Sequence, residues 1–206
     1  KIGGKFYFKK KNKLPLSMLG TKFAKPINYN ENKGSAQCKS CVMLAAMNTE
    51  GETIIKAKRS RNHTELLFKY LKIPIKVIKK KKIKLIKISK VKKIKPLNYK
   101  IPSDISSSAF FIVLTALSQN SKLIIRDVNI NPSRIGAIKI LKMMGVKIFL
   151  KNNKNYKGEK IADLYVESTE SLKAINCPSK LNTAAIDEFL LIFLVAAKAK
   201  GISIFK

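Results

Sequence analysis

Three stretches of this chain read alike, and their spacing limits it to folds assembled from a repeated unit. They are Ala46 to Ile55 (AMNTEGETII), Ala116 to Ile125 (ALSQNSKLII) and Ala196 to Phe205 (AAKAKGISIF), beginning 70 and then 80 residues apart. Each closes an apolar helix, passes a short polar or glycine-containing turn, and enters an isoleucine-rich strand. Residue identity between the copies is weak. What repeats is the order helix, turn, strand.

Extending outward from these anchors predicts a six-element unit, strand-helix-strand-helix-strand-strand. The first copy reads strand Pro26 to Asn30, helix Ser35 to Met47, strand Glu52 to Lys58, helix His63 to Leu71, then strands Ile73 to Lys79 and Ile83 to Ile94. The second reads strand Asn98 to Ile101, helix Ile105 to Ser118, strand Lys122 to Val128, helix Ser133 to Met144, then strands Val146 to Leu150 and Ile161 to Glu167. The third offers a strand at Lys173 to Cys177, a helix at Thr183 to Lys200 and a strand at Ile202 to Phe205. Lys5 to Lys10 and Leu14 to Leu19 look like the closing pair of an earlier unit. The expectation is an α/β (α+β) chain that is an internal fragment of a longer protein, truncated at both ends, with a self-contained chain bearing atypical capping ends as the alternative.

The charge is lopsided: 43 Lys and Arg against 12 Asp and Glu, a formal +31, with only four arginines (Arg59, Arg61, Arg126, Arg134). Such a balance excludes an acidic tail protein and points to an anionic partner. Ten lysines lie between Lys79 and Lys95. They suit either a phosphate-tracking groove or the wet face of a strand. Ile83, Leu85, Ile86, Ile88, Val91 and Ile94 interleave with them and no aromatic is present to stack bases. The strand face is the preferred reading, and no nucleic-acid partner is expected.

The longest apolar runs, Ala109 to Leu117 and Phe189 to Ala197, fall far short of the roughly 18 residues that a membrane span needs. No membrane partner is expected. Three cysteines (Cys38, Cys41, Cys177) do not make a disulfide framework, which favours a reducing, cytoplasmic setting. His63 is the only histidine, which argues against a zinc site and against a His-based triad. Cys38 and Cys41 form a C-x-x-C on a predicted helix and are read as core positions, not as metal or redox ligands. No metal and no organic cofactor is expected.

Helix starts carry the chemistry that remains. Free backbone N–H groups and aligned peptide dipoles make a helix N-terminus an anion site. The first long helix opens Gly34-Ser35-Ala36-Gln37, a flexible residue, a hydroxyl and an amide. Taken alone, Ser35 is better read as a plain N-cap. Asp104 is expected to cap the helix from Ile105, and Asp187-Glu188 could simply complement a helix dipole.

In order, the chain carries Ser35-Ala36-Gln37-Cys38-Lys39-Ser40, then Ser60-Arg61-Asn62-His63-Thr64-Glu65, then Ile101-Pro102-Ser103-Asp104-Ile105-Ser106-Ser107-Ser108-Ala109-Phe110-Phe111. Asn131-Pro132-Ser133-Arg134, Met144-Gly145, Gly158-Glu159, Ala162-Asp163 and Ile186-Asp187-Glu188-Phe189 follow. This series resembles the EPSP synthase (5-enolpyruvylshikimate-3-phosphate synthase) family, with its SAQ-x-KS, SRDHTE, VPGDISSAAFF and NPTR motifs, over nearly the whole chain. The resemblance implies an inverse α/β barrel built from repeated βαβαββ units, in a two-domain enolpyruvyl transferase fold. Residues 1–98 would belong to the first domain and 99–206 to the second.

It also implies a reaction. The enolpyruvyl group of phosphoenolpyruvate moves to the 5-hydroxyl of shikimate 3-phosphate and phosphate is released, on the route to aromatic amino acids. By motif match, Ser35, Ala36, Gln37 and Arg61 look like ligands of shikimate 3-phosphate, with Gln37 also near phosphoenolpyruvate. Asp187 looks like both a shikimate 3-phosphate ligand and the carboxylate that takes the hydroxyl proton. The intact enzyme is expected to be a monomer. Asn62 stands where the family has Asp, and Ser103 where it has Gly; the latter matters only if that residue needs a positive φ. The family's cationic phosphoenolpyruvate motifs have no counterpart here, so the isolated fragment is expected to bind weakly and not to turn over. A transferase of the same fold acting on UDP-N-acetylglucosamine is the alternative, disfavoured by the first two motifs; a basic nucleic-acid-binding module is the other.

Overall fold

Seven residues with period-two burial set the first sheet. In Glu52–Lys58 (β4, once β1 Lys5–Lys10, β2 Lys13–Leu19 and β3 Asn28–Glu31 are counted) Thr53, Ile55 and Ala57 point inward and are buried. A computed structural model describes residues 2–81 and 83–206. The chain divides between Pro96 and Leu97 into two compact units.

In the first unit β3 and β4 run parallel, joined by a crossover helix, α1 (Ala36–Ala46). After α2 (His63–Tyr70), strands β5 (Ile75–Lys79) and β6 (Ile83–Ser89) close the sheet in the order β3-β4-β6-β5. Met43, Ala46 and Met47 from α1, Phe68 from α2, and Ile55, Ala57, Ile86 and Ile88 from the sheet form its core, joined by Ile73. Full burial of each large side chain contributes roughly 1.5–3 kcal/mol. Strands β1 and β2 pair with each other as a hairpin.

The second unit repeats the plan. Helix α3 (Ile105–Leu117) leads to β7 (Lys122–Asn129), then α4 (Gly136–Met143), β8 (Lys147–Tyr156) and β9 (Glu159–Glu167), with sheet order β7-β9-β8. The third copy contributes β10 (Asn176–Cys177), α5 (Asn182–Ala185), α6 (Phe189–Lys198) and β11 (Ile204–Phe205), with β10 and β11 parallel. Ile112, Val113, Ile138, Ile140, Leu164 and Ile192 are among the side chains that bury one continuous core across α3, α4, β9 and α6. Among the described residues the sheets stay open and none closes into a barrel.

Several expected elements differ: the strand expected at Val146 to Leu150 runs on to Tyr156, and the one expected at Lys173 to Cys177 shrinks to Asn176–Cys177. Asn98 to Ile101 is not a strand: the Lys100 amide donates to the Tyr156 hydroxyl, and only Ser103 bridges β7, opposite Val128. The strand expected to run to Ile94 ends at Ser89, because the Val91 amide is drawn off to the Met47 carbonyl. The helix expected from Ser133 starts at Gly136, because the Asn131 side chain accepts from the Ser133 amide and hydroxyl and holds a turn there. The helix expected over Thr183 to Lys200 is broken by a 3-10 turn at Ile186–Glu188.

Candidate functional site

The start of α1 is built by a buried acid. The Glu31 carboxylate, at the end of β3, accepts from the Lys33 amide (2.9 Å) and the Gly34 amide (2.8 Å) and folds the chain into the turn before the helix. Gly34 sits at φ +77, a left-handed conformation where a side chain would be strained. Ser35 is then the N-cap, its hydroxyl accepting from the Cys38 amide at 3.2 Å. Ser35 and Ala36 are half-buried and Gln37 is exposed, with the Gln37 amide oxygen 3.5 Å from the Ser35 hydroxyl.

One lysine ties this start to the segment before α2. Lys39 is fully buried, and its ammonium donates to the Ser60 hydroxyl (3.0 Å), the Arg61 carbonyl (2.6 Å) and the Glu65 carboxylate (2.9 Å). One step along, the Ser40 and Thr64 hydroxyls share a hydrogen bond of 2.7 Å. So the structure brings Ser35, Ala36, Gln37 and Arg61 into one neighbourhood by pinning both of their segments to Lys39 and Ser40. Lys84 approaches the same Glu65 carboxylate at 3.6 Å; burial depresses its ammonium, and Glu65 only partly counters that. Sequence reading gave Lys39, Ser60, Glu65 and Glu31 no role. The signal available in retrospect was the acid: Glu65 is one of only two acidic residues between Glu50 and Asp104, and a buried acid needs a cation to hold it.

Asp187 lies in the second unit, where a second polar cluster joins three segments. Asp104 is the N-cap of α3 and accepts from the Ser107 amide (2.8 Å) and hydroxyl (3.1 Å). Partial burial alone would raise its carboxyl, but the Ser107 donors and the Arg134 charge outweigh that and hold it below the usual aspartate value. Arg134, just ahead of α4, reaches Asp104 (3.3 Å), the Ser106 hydroxyl (2.5 Å) and Asp187 (3.4 Å). The Ser106 hydroxyl in turn donates to buried Glu188. These two bonds account for the broken helix: the acids at 187 and 188 are both engaged where α3 and α4 begin, and the chain takes a tighter turn to present them.

The flagged departures resolve separately. Ser103 takes no positive φ; its hydroxyl donates to the Arg126 carbonyl, so the Cβ is accommodated. Asn62 is the N-cap of α2 but makes no side-chain capping bond to that helix. Cys38 and Cys41 correct the expectation of core positions. Both are exposed, because Lys39, Met43 and Ala46 take the inner face of α1, while Cys177 is buried and its thiol pushed up by desolvation. Among the described residues no group of three or more His, Cys, Asp and Glu is placed to hold a metal, and no helix is long and apolar enough to cross a membrane.

The family model described as EPSP synthase (3-phosphoshikimate 1-carboxyvinyltransferase) matches residues 1–206. The chain is 36% identical over 203 residues to the 3-phosphoshikimate 1-carboxyvinyltransferase of Petrotoga mobilis, covering 98% of this chain and 46% of that one. It is 41% identical over 190 residues to that of Ruthia magnifica, covering 92% and 42%. It spans somewhat under half the length of the curated relatives it matches. Among solved structures, an EPSP synthase from Acinetobacter baumannii matches with TM-score 0.84 at 34% identity, covering 97% of this chain and 44% of that one. The enolpyruvyl transferase NikO from Streptomyces tendae, at 13% identity and TM-score 0.68, covers 97% and 47% and shares the fold.

Proposed function

The chain belongs to the EPSP synthase family, and from that premise we propose that it carries part of the machinery moving the enolpyruvyl group of phosphoenolpyruvate onto the 5-hydroxyl of shikimate 3-phosphate. In this reading the two units are portions of the family's first and second domains. The α1 start, with Ser35, the Ala36 amide and Gln37, receives shikimate 3-phosphate, and the Arg61 guanidinium adds a cationic contact. Phosphate suits such a place because the helix dipole and free amides favour negative charge. Gln37, the exposed member, also reaches phosphoenolpyruvate. Asp187 contacts the shikimate ring and accepts the proton of the attacking hydroxyl; as the oxygen bonds to the enol carbon the double bond takes a proton at its methylene carbon from an acid, and that carbon gives a proton back as phosphate leaves.

The observation that carries the reading is the Lys39 tie. A fully buried ammonium bonded to the carbonyl of Arg61 keeps the cation-bearing segment beside the Ser35 cap. Nothing in ordinary helix capping requires that.

Because the chain spans somewhat under half its relatives' length, binding is the test, not turnover. Isothermal titration calorimetry with shikimate 3-phosphate should show saturable binding, weakened about tenfold by Gln37→Ala and by Ser35→Ala. UDP-N-acetylglucosamine should not compete. A polyanion such as heparin competing fully, with no effect of either substitution, would reduce the site to non-specific charge attraction.

A further inference from the structure

Arg134 is one of three arginines the proposed chemistry leaves unused, and it is set among acids. Its side chain is 12% exposed, and its guanidinium faces three acids on two segments: Asp104 at the start of α3, then Asp187 and Glu188 in the turn before α6, with Glu188 at 4.0 Å. The internal repeat makes its position informative. Arg61 immediately precedes the N-cap of α2, and Arg134 immediately precedes the N-cap of α4. Likewise Ser35 and Asp104 each cap the first helix of their repeat by accepting from the amide three residues on. Where the first unit has a serine, the second has a carboxylate, and Arg134 is turned onto it.

Backbone packing enforces the contact with Asp187. The first residue of α4, Gly136, lies so close to α5 that a Cβ there would stand 2.6 Å from the Ala184 carbonyl carbon. Ala137, Ile138, Ile140 and Leu141 bury the rest of α4 in the core, so the helix cannot retreat. Arg134 is therefore delivered to the 186–188 turn by main-chain contact. Its planar fork engages Asp187 through Nη1, while Nη2 engages Asp104 and Ser106. Ser106 passes the linkage on to Glu188.

We propose that Arg134 is the positioning residue for Asp187: it fixes the direction of that carboxylate and neutralises the crowding of three acids that would otherwise swing it away. This rests on the reading of Asp187 as a shikimate 3-phosphate ligand and proton acceptor. A group in that role must sit within hydrogen-bond reach of one hydroxyl, and a loosely held carboxylate loses that geometry. Lysine keeps the charge but lacks the two-armed fork, so it separates direction from charge.

The test is a double-substitution cycle on the 206-residue protein with Arg134→Lys, Asp187→Asn and the pair, read by shikimate 3-phosphate calorimetry. Arg134→Lys should weaken binding about tenfold in the parent and less than twofold when Asp187 is already Asn. The same loss in both backgrounds, or no loss in the parent, overturns the proposal, because Arg134 would then act only as a structural brace. If the unsubstituted chain binds no shikimate 3-phosphate, the functional reading falls by itself. The same four proteins then decide the contact by urea unfolding: coupling above threefold in the unfolding constant supports it, and additivity overturns it.

Discussion

Replacing Lys39 by methionine tests the link between the two segments of the first unit. Methionine nearly matches the lysine stem in length and stays apolar, so packing against Met43 changes little and the lost quantity is the ammonium. Three acceptors lose their donor: the Ser60 hydroxyl, the Arg61 carbonyl and Glu65. Glu65 is the expensive one, being 3% exposed and with Oε2 unbonded among the described residues. Breaking a buried pair by removing one partner costs about 3–5 kcal/mol. Lys84, 3.6 Å from the same carboxylate, offsets part of that, which puts the expected loss at about 2–4 kcal/mol. Lys39→Met with Glu65→Leu removes both charges, and exchange of a buried pair for apolar groups is close to neutral, so most of the loss should return. Amide hydrogen exchange of α1 and β4 reads the first unit separately from the second, which a single melting curve does not. A single substitution costing under about 1 kcal/mol, or a double one costing the sum of its parts, would show that Lys39 is not what holds the 60–65 segment to α1.

Two further predictions concern the second unit. Gly136→Val should destabilise it by about 1–3 kcal/mol, as overpacking against the Ala184 backbone demands, while leaving hydrogen exchange in the first unit unchanged; an unchanged urea midpoint would remove the close approach from the account. Asp104 has a folded-state carboxyl below its unfolded value, so its contribution is present above pH 3.8 and is lost as pH falls through the folded value. Asp104→Asn keeps a capping side chain but not the charge. Its stability deficit, measured by urea unfolding from pH 6 down to pH 2.5, should shrink with acid, and a deficit independent of pH would contradict the Arg134 and Ser107 account.

Most of the fold was legible because it repeats. In β4 alternation marked the strand's ends, and where Ser35 and Asp104 cap their helices the capping residue marked the start. What failed were elements whose ends are set by particular hydrogen bonds that periodicity does not show, from Asn131 two residues before Ser133 to partners far along the chain. No local pattern reveals that Tyr156 takes the Lys100 amide, or that Met47 takes that of Val91. The break at Ile186–Glu188 belongs to the same class, since α6 is apolar enough to be continuous with the segment before it and only Ser106 and Arg134 explain why it is not.

The proposed site divides along the same line. Ser35, Gln37, Arg61 and Asp187 could be named because their motifs match the family pattern at positions to which the resemblance attaches a substrate role. The groups that place them, Lys39, Glu65, Glu31 and Arg134, are ordinary charged residues whose meaning lies in their burial, and burial is a tertiary property. Charge excess hides them further: with 43 basic side chains, no single lysine stands out, although Lys39 is fully buried while the lysines between Lys90 and Lys95 lie at the surface. The twelve acids are the better guide in such a chain. An acid that is buried must have a cation or amides to hold it, and following Glu31, Glu65 and Glu188 to their partners recovers the α1 turn, the Lys39 tie and the Arg134 cluster in turn.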